Sequence, residues 1–219
     1  MISVAITNYN YGRYLGMAIE SALAFTDDVT VYDDCSTDAS REVAEMYSVP
    51  FIVNESNSGG PVWGSNLAIE QAKGDYLFYL DADNIMLGVP ENLTADYTYC
   101  PIPIIDDSNK VIDMWRYDGW PLTAAEAIAN YKRTIGMPVP WGGFWRLDFL
   151  RSRNLKWEPW PSTDMAADFH TCVRWMLAHP TLAYHPEPCL AFRQHEGQWS
   201  ASPERDVMLS DARKLASII

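Results

Sequence analysis

Asp81-Ala82-Asp83 is the segment of this 219-residue chain best suited to chemistry. It follows Tyr76-Leu77-Phe78-Tyr79-Leu80, an almost wholly apolar run. Two carboxylates one residue apart offer hard oxygen ligands suited to Mg²⁺ or Mn²⁺. Such a cation neutralises phosphate oxygens and stabilises a departing diphosphate. Three more polar clusters close earlier strand-like runs: Thr7-Asn8-Tyr9-Asn10, Asp33-Asp34, and the loop at Gly59-Gly60, where backbone can approach a ligand closely. An acidic pair alone is weak evidence, because such pairs are common in surface loops. Four polar clusters at four successive strand ends suggest one crevice.

The elements that would position these clusters alternate. Ser3–Thr7, 29–32, 51–53 and 76–80 read as strands, and helical spacing predicts helices over 14–24, 39–47 and 62–72. Ser36-Thr37-Asp38 supplies cap residues for the second helix. Continuous apolar strands are those of a parallel sheet covered on both faces. The order predicts an open α/β sheet, mostly parallel, with helices on both faces. Ligands bind outside the carboxyl ends of such strands. The second half is less regular. Strands are expected over 97–106 and 110–115 about an Asp107-Ser108-Asn109 turn. Helices are expected over 123–133, 166–178 and 204–219, with short strands at 182–184 and 190–195 around Pro186-Glu187-Pro188. No repeat or linker is visible, so residues 1–219 read as one domain, with a first half at 1–100 and a second at 101–219.

Composition narrows the function classes. The chain is 48% hydrophobic and 21% charged, with a net charge of −13. Residues 1–100 hold three basic and fifteen acidic residues, a net −12, leaving −1 for the remainder. A strongly acidic chain is a poor partner for nucleic acid or anionic membrane. No apolar run reaches the ~18 residues a membrane span needs, and no signal peptide is visible. Cys35, Cys100, Cys172 and Cys189 form no CxxC pair, so they read as reduced packing thiols of a cytoplasmic protein.

The stretch from Ser3 to Asn84 resembles the donor-binding half of glycosyltransferase family 2. The residues that carry the likeness are Val4-Ala5-Ile6-Thr7-Asn8-Tyr9-Asn10, Ala18-Ile19-Glu20-Ser21-Ala22-Leu23, Val31-Tyr32-Asp33-Asp34-Cys35-Ser36-Thr37-Asp38, Asn57 with Gly59, Asn66 with Ala68-Ile69, Gly74-Asp75-Tyr76 and Leu80-Asp81-Ala82-Asp83-Asn84. The resemblance implies a GT-A fold that binds a nucleoside diphosphate sugar, usually with Mn²⁺ or Mg²⁺. By position, Thr7 and Tyr9 would line the nucleoside pocket and Asp34 would accept a hydrogen bond from a uracil-type base. Gly59, Gly60 and Asn66 would border the donor. Asp83 would be the main metal ligand, and Asp81 would face the ribose or the metal. Many relatives carry Arg before the residue matching Asn66, but this chain has Ser65, which leaves donor identity open.

In the second half, Asp164-Met165-Ala166-Ala167-Asp168-Phe169 resembles the family's acidic segment, whose Asp is the catalytic base; by position this is Asp168. Asp164, one turn away, is the alternative. A carboxylate that only stabilises the helix start is the third possibility. Phe192-Arg193-Gln194-His195 resembles a segment whose His reaches the metal or diphosphate, so His195 would complete the metal shell and Arg193 would pair with phosphate. Trp141-Gly142-Gly143-Phe144-Trp145 resembles the loop before the acceptor-side helix, and Trp141, Gly142, Gly143 and Trp145 would touch acceptor. Eight of the nine tryptophans lie after residue 100, most of them expected in the core and about two on acceptor.

The resemblance implies an inverting enzyme that moves one sugar from a UDP-type donor to a hydroxyl of a glycan or glycoconjugate. Two alternatives remain. One is a sugar-nucleotide nucleotidyltransferase, against which the first strand lacks a basic Gly-rich loop. The other is a non-catalytic glycan- or nucleotide-binding module.

Overall fold

The computed structural model describes residues 1–116, 123–134, 140–159 and 167–198, with 210, 213, 214, 216 and 217. The alternating first half forms β1 (Ile2–Asn8), α1 (Gly12–Leu23), β2 (Val29–Asp33), α2 (Ser40–Met46), β3 (Phe51–Val53), α3 (Val62–Gln71) and β4 (Tyr76–Asp81). These strands are parallel, in the spatial order β4-β1-β2-β3. The chain therefore steps outward through β2 and β3, then returns to the other side of β1. Right-handed crossovers place α1 and α2 on one face and α3 on the other. The order of strands reverses between β1 and β4, which opens a crevice at their carboxyl ends.

The second half extends this sheet and adds a smaller one. Its elements are β5 (Ile85–Met86), β6 (Tyr97–Tyr99), β7 (Ile102–Ile105), β8 (Val111–Trp115), α4 (Ala124–Thr134), a 3-10 turn at Pro140–Gly142, β9 (Gly143–Arg146), α5 (Leu147–Ser152), α6 (Ala167–Leu177), β10 (Leu182–Tyr184) and β11 (Leu190–Arg193). The large sheet has seven strands in the order β10-β6-β9-β4-β1-β2-β3, and β9 alone runs against its neighbours. The small sheet runs β5-β11-β7-β8. One buried apolar cluster extends from Ile2 to Leu190 across both halves.

Two expectations are corrected. The single strand expected over 97–106 is two strands in different sheets, β6 and β7. Pro101 stands between them; it has no N–H to donate and so interrupts a ladder. The expected loop at Gly143–Arg146 is an interior strand, β9, which joins β4 to β6. Gly143 is required there, because an added Cβ would run into the Thr98 carbonyl. Residues 204–219 lie almost wholly outside the described residues, so the terminal helix expected there is not assessed.

The tryptophans divide as their surroundings dictate. Trp145 and Trp175 are fully buried and Trp157 nearly so. Trp145 stacks on Tyr97 at 4.1 Å and meets Trp175 edge-on at 4.7 Å. Trp120, Trp160 and Trp199 lie outside the described residues. All four cysteines are free thiols, three of them buried.

Candidate active site

The crevice is built first from backbone register. Thr7 pairs with Asp81 across β1 and β4, and Asn8 pairs with Asp33 across β1 and β2. Three strand ends thus stop level with one another. The Thr7 hydroxyl donates to Asp81 Oδ1 at 2.8 Å. Asn84 Nδ2 donates to Asp81 Oδ2 at 3.3 Å. Asn8 Nδ2 donates to Asp33 Oδ2 at 2.6 Å, and Asp33 also accepts from the Ser36 N–H and hydroxyl. Asp33 therefore ties the loop after β1 to the loop after β2. Asn10, at φ 58°, completes the tie by accepting from the Thr37 N–H at 2.8 Å. Tyr9 stands on this knot, 45% exposed, its ring turned to solvent.

Asp34 is also committed to a loop. It accepts from Asn54 Nδ2 at 2.8 Å and from the Ser58 N–H and hydroxyl. Asp34 so anchors the Asn57–Gly60 turn, in which Gly59 adopts φ 86°, a left-handed conformation that favours glycine. Its Oδ2 takes only the Ser58 N–H, which leaves room for one further donor.

The acidic pair lies deeper. Asp83 is 5% exposed, and its Oδ2 is 3.3 Å from His195 Nε2. The imidazole packs against Tyr11 at 5.6 Å and Tyr14 at 4.9 Å. Burial, then the charges of Asp83 and Asp168, push the Asp81 carboxyl up to about 7, against the opposing bond from Thr7. Buried like charges of this kind invite a cation. Asp81, Asp83 and His195 are neighbours but do not close as a ligand trio. Among the described residues no three His, Cys, Asp or Glu side chains converge so as to hold an ion alone. The donor set fits a cation that takes one or two protein carboxylates and draws its other ligands from phosphate and water, the usual manner of Mg²⁺.

Asp168 lies in the first turn of α6. Trp141 Nε1 donates to its Oδ2 at 2.9 Å. Burial pushes its carboxyl up to about 6, against that bond, which pulls it down. The crevice thus has the acidic pair on one side and a separate carboxylate on another. Asp164 lies outside the described residues.

Five residues assigned from the sequence are engaged in contacts of the fold itself: Arg193, Asn66, Trp145, Gly143 and Gly142. Arg193 is fully buried, and its guanidinium is turned inward: Nε donates to the Asp83 carbonyl at 2.8 Å and Nη1 to the Asp106 carbonyl at 2.9 Å. Its backbone N–H donates to Asn84 Oδ1 at 2.9 Å. Arg193 therefore clamps the acidic loop, its guanidinium committed to backbone carbonyls. Asn66 exchanges two hydrogen bonds with the Trp157 backbone, at 2.8 and 2.9 Å, and so fastens α3 rather than bordering a donor. Trp145 and Gly143 are buried within the sheet, away from any acceptor surface. Gly142 is buried beside Cys100, whose thiol lies 3.8 Å from its carbonyl. Only Trp141 of that group reaches the crevice.

Sequence reasoning missed two contributors, Asn84 and Asp107, and the bond made by a third, Trp141. Asn84 links Asp81 to β11 through the bonds above. Asp107, expected as a turn residue, accepts from Tyr14 at 2.6 Å and pairs with Arg13 at 2.9 Å, which latches the β7–β8 hairpin onto α1. Trp141 acts through its indole N–H rather than its ring face. The acidic signature of Asp81-Ala82-Asp83-Asn84 gave a signal for Asn84; nothing local in the chain signals the other two.

Comparison with known proteins points to glycosyltransferases. Residues 3–88 match the model of glycosyl transferase family 2. An uncharacterized glycosyltransferase of Nostoc sp. is 37% identical over 185 residues, 73% of this chain and 56% of that protein. Poly(ribitol-phosphate) beta-N-acetylglucosaminyltransferase TarS of Staphylococcus aureus is 35% identical over 92 residues, 37% of this chain and 16% of that protein. The chain thus spans 16% to 56% of the length of these two relatives. Among solved structures, S. aureus TarS 1–349 in complex with UDP-GlcNAc superposes with a TM-score of 0.70 at 18% identity, over 99% of this chain and 65% of that one. The mannosyltransferase PcManGT of Pyrobaculum calidifontis, in complex with GDP-Man and Mn²⁺, superposes with a TM-score of 0.65 at 14% identity, over 99% of this chain and 64% of that one. At such identity the superpositions show a shared fold, that of GT-A glycosyltransferases.

Proposed function

We infer, for a chain whose residues 3–88 make it a member of glycosyltransferase family 2, that it moves a single sugar from a nucleoside diphosphate sugar to an acceptor hydroxyl with inversion. The observation that carries this reading is the pairing of Asp81 and Asp83 with a separate carboxylate, Asp168, whose charge acts on Asp81 within one crevice.

The chemistry divides between the two sides. Asp83, with Asp81 and His195 beside it, would hold a divalent cation, Mn²⁺ or Mg²⁺, which when bound supplies charge neutralisation to diphosphate oxygens. Thr7 and Tyr9 border the nucleoside, and Asp34 Oδ2 accepts from its base. The Gly59-Gly60 turn brings backbone close to the donor. On the other side, Trp141 occupies Asp168 Oδ2, so Oδ1 takes the proton of the attacking hydroxyl. The acceptor oxygen forms the new bond to the anomeric carbon from the face opposite the leaving group. The bond from that carbon to the diphosphate breaks, and the diphosphate leaves with the electron pair. A base titrating near 6 is ionised at neutral pH and still basic enough to take a proton in the transition state. No covalent intermediate is needed.

The donor base is read as uracil and the acceptor as a glycan or glycoconjugate. TarS binds UDP-GlcNAc and PcManGT binds GDP-Man, so both donor types belong in the test. The cytoplasm, which keeps thiols reduced, suits the four free cysteines.

The test is incubation with UDP-GlcNAc, UDP-glucose and GDP-mannose plus Mn²⁺, with nucleoside diphosphate and pyrophosphate both quantified. The reading expects nucleoside diphosphate release from one donor. Pyrophosphate release would assign the chain to nucleotidyl transfer, and no release from any sugar nucleotide in the presence of broad glycan acceptors would leave a binding module.

A further inference from the structure

We propose that Trp141 is a positioning residue for the transfer: its indole N–H aims the Asp168 carboxylate, and an aromatic stack from the small sheet holds the indole in place. This rests on Asp168 being the base, as read above.

The geometry assigns Trp141 this part for three reasons. First, its Nε1 donates to Asp168 Oδ2 at 2.9 Å, the hydrogen bond made to that carboxylate from outside its own helix among the described residues. One side-chain torsion and one well-placed donor suffice to choose which oxygen faces the acceptor. Second, the indole is itself fixed. It stacks on Phe192 at 5.5 Å with an interplanar angle of 21°, and Trp115 closes the group at 6.0 Å from Trp141 and 4.9 Å from Phe192. Third, the stack belongs to the same strand that clamps the acidic loop. Phe192 and Arg193 are consecutive on β11, so their side chains leave on opposite faces. Arg193 bonds the Asp83 carbonyl, while Phe192 supports Trp141. One strand thereby sets the spacing between the leaving-group side and the base side.

Among the described residues, few titratable groups lie near Asp168. Asp81 on β4 lies within range of its charge. Cys172, on its own helix, is buried and pushed up partly by it. Tyr131 on α4 is influenced by Cys172. The indole is a neutral donor among groups that are anionic when ionised, so its removal raises the pH at which the carboxylate ionises.

The experiment uses the sugar nucleotide that the wild-type chain turns over fastest in the panel above. Trp141→Phe keeps an aromatic ring for the stack and removes the N–H. It is expected to lower kcat about 10- to 100-fold, the scale of a misaligned catalytic group, with donor KM and Mn²⁺-dependent UDP affinity unchanged. The acid limb of the kcat–pH profile should move up by roughly one pH unit. Phe192→Ala, which leaves the N–H and removes its support, should change kcat in the same direction by less. Trp141→His, which restores a ring N–H, should recover part of the rate. Unaltered kcat and an unmoved acid limb in Trp141→Phe would overturn the proposal while leaving the proposed function standing. If that variant does not fold, unaltered kcat and pH profile in Phe192→Ala would overturn it. Full transfer by Asp168→Asn would instead remove the reading on which it rests.

Discussion

Asp168 shows what a catalytic assignment costs at the scale of one residue. Its carboxyl titrates near 6 because burial disfavours the charge, and Trp141 only partly offsets that. Two consequences follow from the same shift. Activity should rise as pH passes through about 6 and be lost below it, because only the ionised form accepts a proton. Stability should move the other way. Between about 4, the unfolded value, and 6, the native state keeps a proton that the unfolded chain has released, so stability falls as pH rises through that window. Asp168→Asn removes the ionisation. In metal-free buffer it should be more stable than the wild type by about 1–3 kcal/mol at pH 8, with the difference gone by pH 3.5. Denaturant melts at both pH values check this; equal stability at pH 8 would mean that the carboxylate is well solvated. The candidates Thr7, Asp34, Asp81, Asp83, His195 and Asp168 could be picked out in the chain, since all stand at or near element ends where polar groups interrupt apolar runs. What could not be read was which way a polar side chain turns. Arg193 and Asn66 bond backbone carbonyls and amides, and backbone groups leave no mark in a sequence.

At the scale of elements, the first half was legible because its strands are short apolar runs alternating with helices, and β1, β2 and β3 each pair with the strand that one helix brings alongside. β9 was hidden for the opposite reason. It is four residues long, begins at a glycine, and pairs Arg146 with Tyr76 across seventy residues of chain. Only the finished sheet makes it a strand. That placement turns Trp145 from an acceptor residue into a core one. Trp145→Ala should cost about 3–5 kcal/mol of stability, as for other buried large aromatics, and leave UDP affinity of the remaining folded protein unchanged. Calorimetric titration separates the two effects, and a specific loss of acceptor KM in a fully stable variant would contradict the assignment. β11 is the other element whose part emerges only in three dimensions. Arg193→Lys keeps the charge but cannot reproduce the forked bonds to the Asp83 and Asp106 carbonyls. It should lower the melting temperature and weaken Mn²⁺-dependent UDP binding together, because the acidic loop loses its anchor. A change in melting temperature without any change in UDP affinity would show that β11 does not hold the loop in its binding form.

At the scale of the molecule, the unequal charge poses the main energetic problem. The half of the chain with a net −12 forms the crevice that would receive a diphosphate, and Arg193 is turned away from it. Repulsion there has to be discharged locally. Hence the expectation that UDP affinity falls at least ~100-fold in excess chelator, a difference of about 3 kcal/mol, and that sodium chloride alone does not restore it. Tight UDP binding in chelator would mean that backbone dipoles suffice. The large sheet would carry both sides of the proposed reaction, since the acidic pair lies at the end of β4 while α6 and the Trp141 turn flank β9, its neighbour. Release of nucleoside diphosphate by Asp168→Asn, at saturating sugar nucleotide and Mn²⁺, tests this arrangement most directly. The account predicts a loss of at least about 100-fold in kcat with UDP affinity equal to that of the wild type. Wild-type turnover by that variant would contradict it.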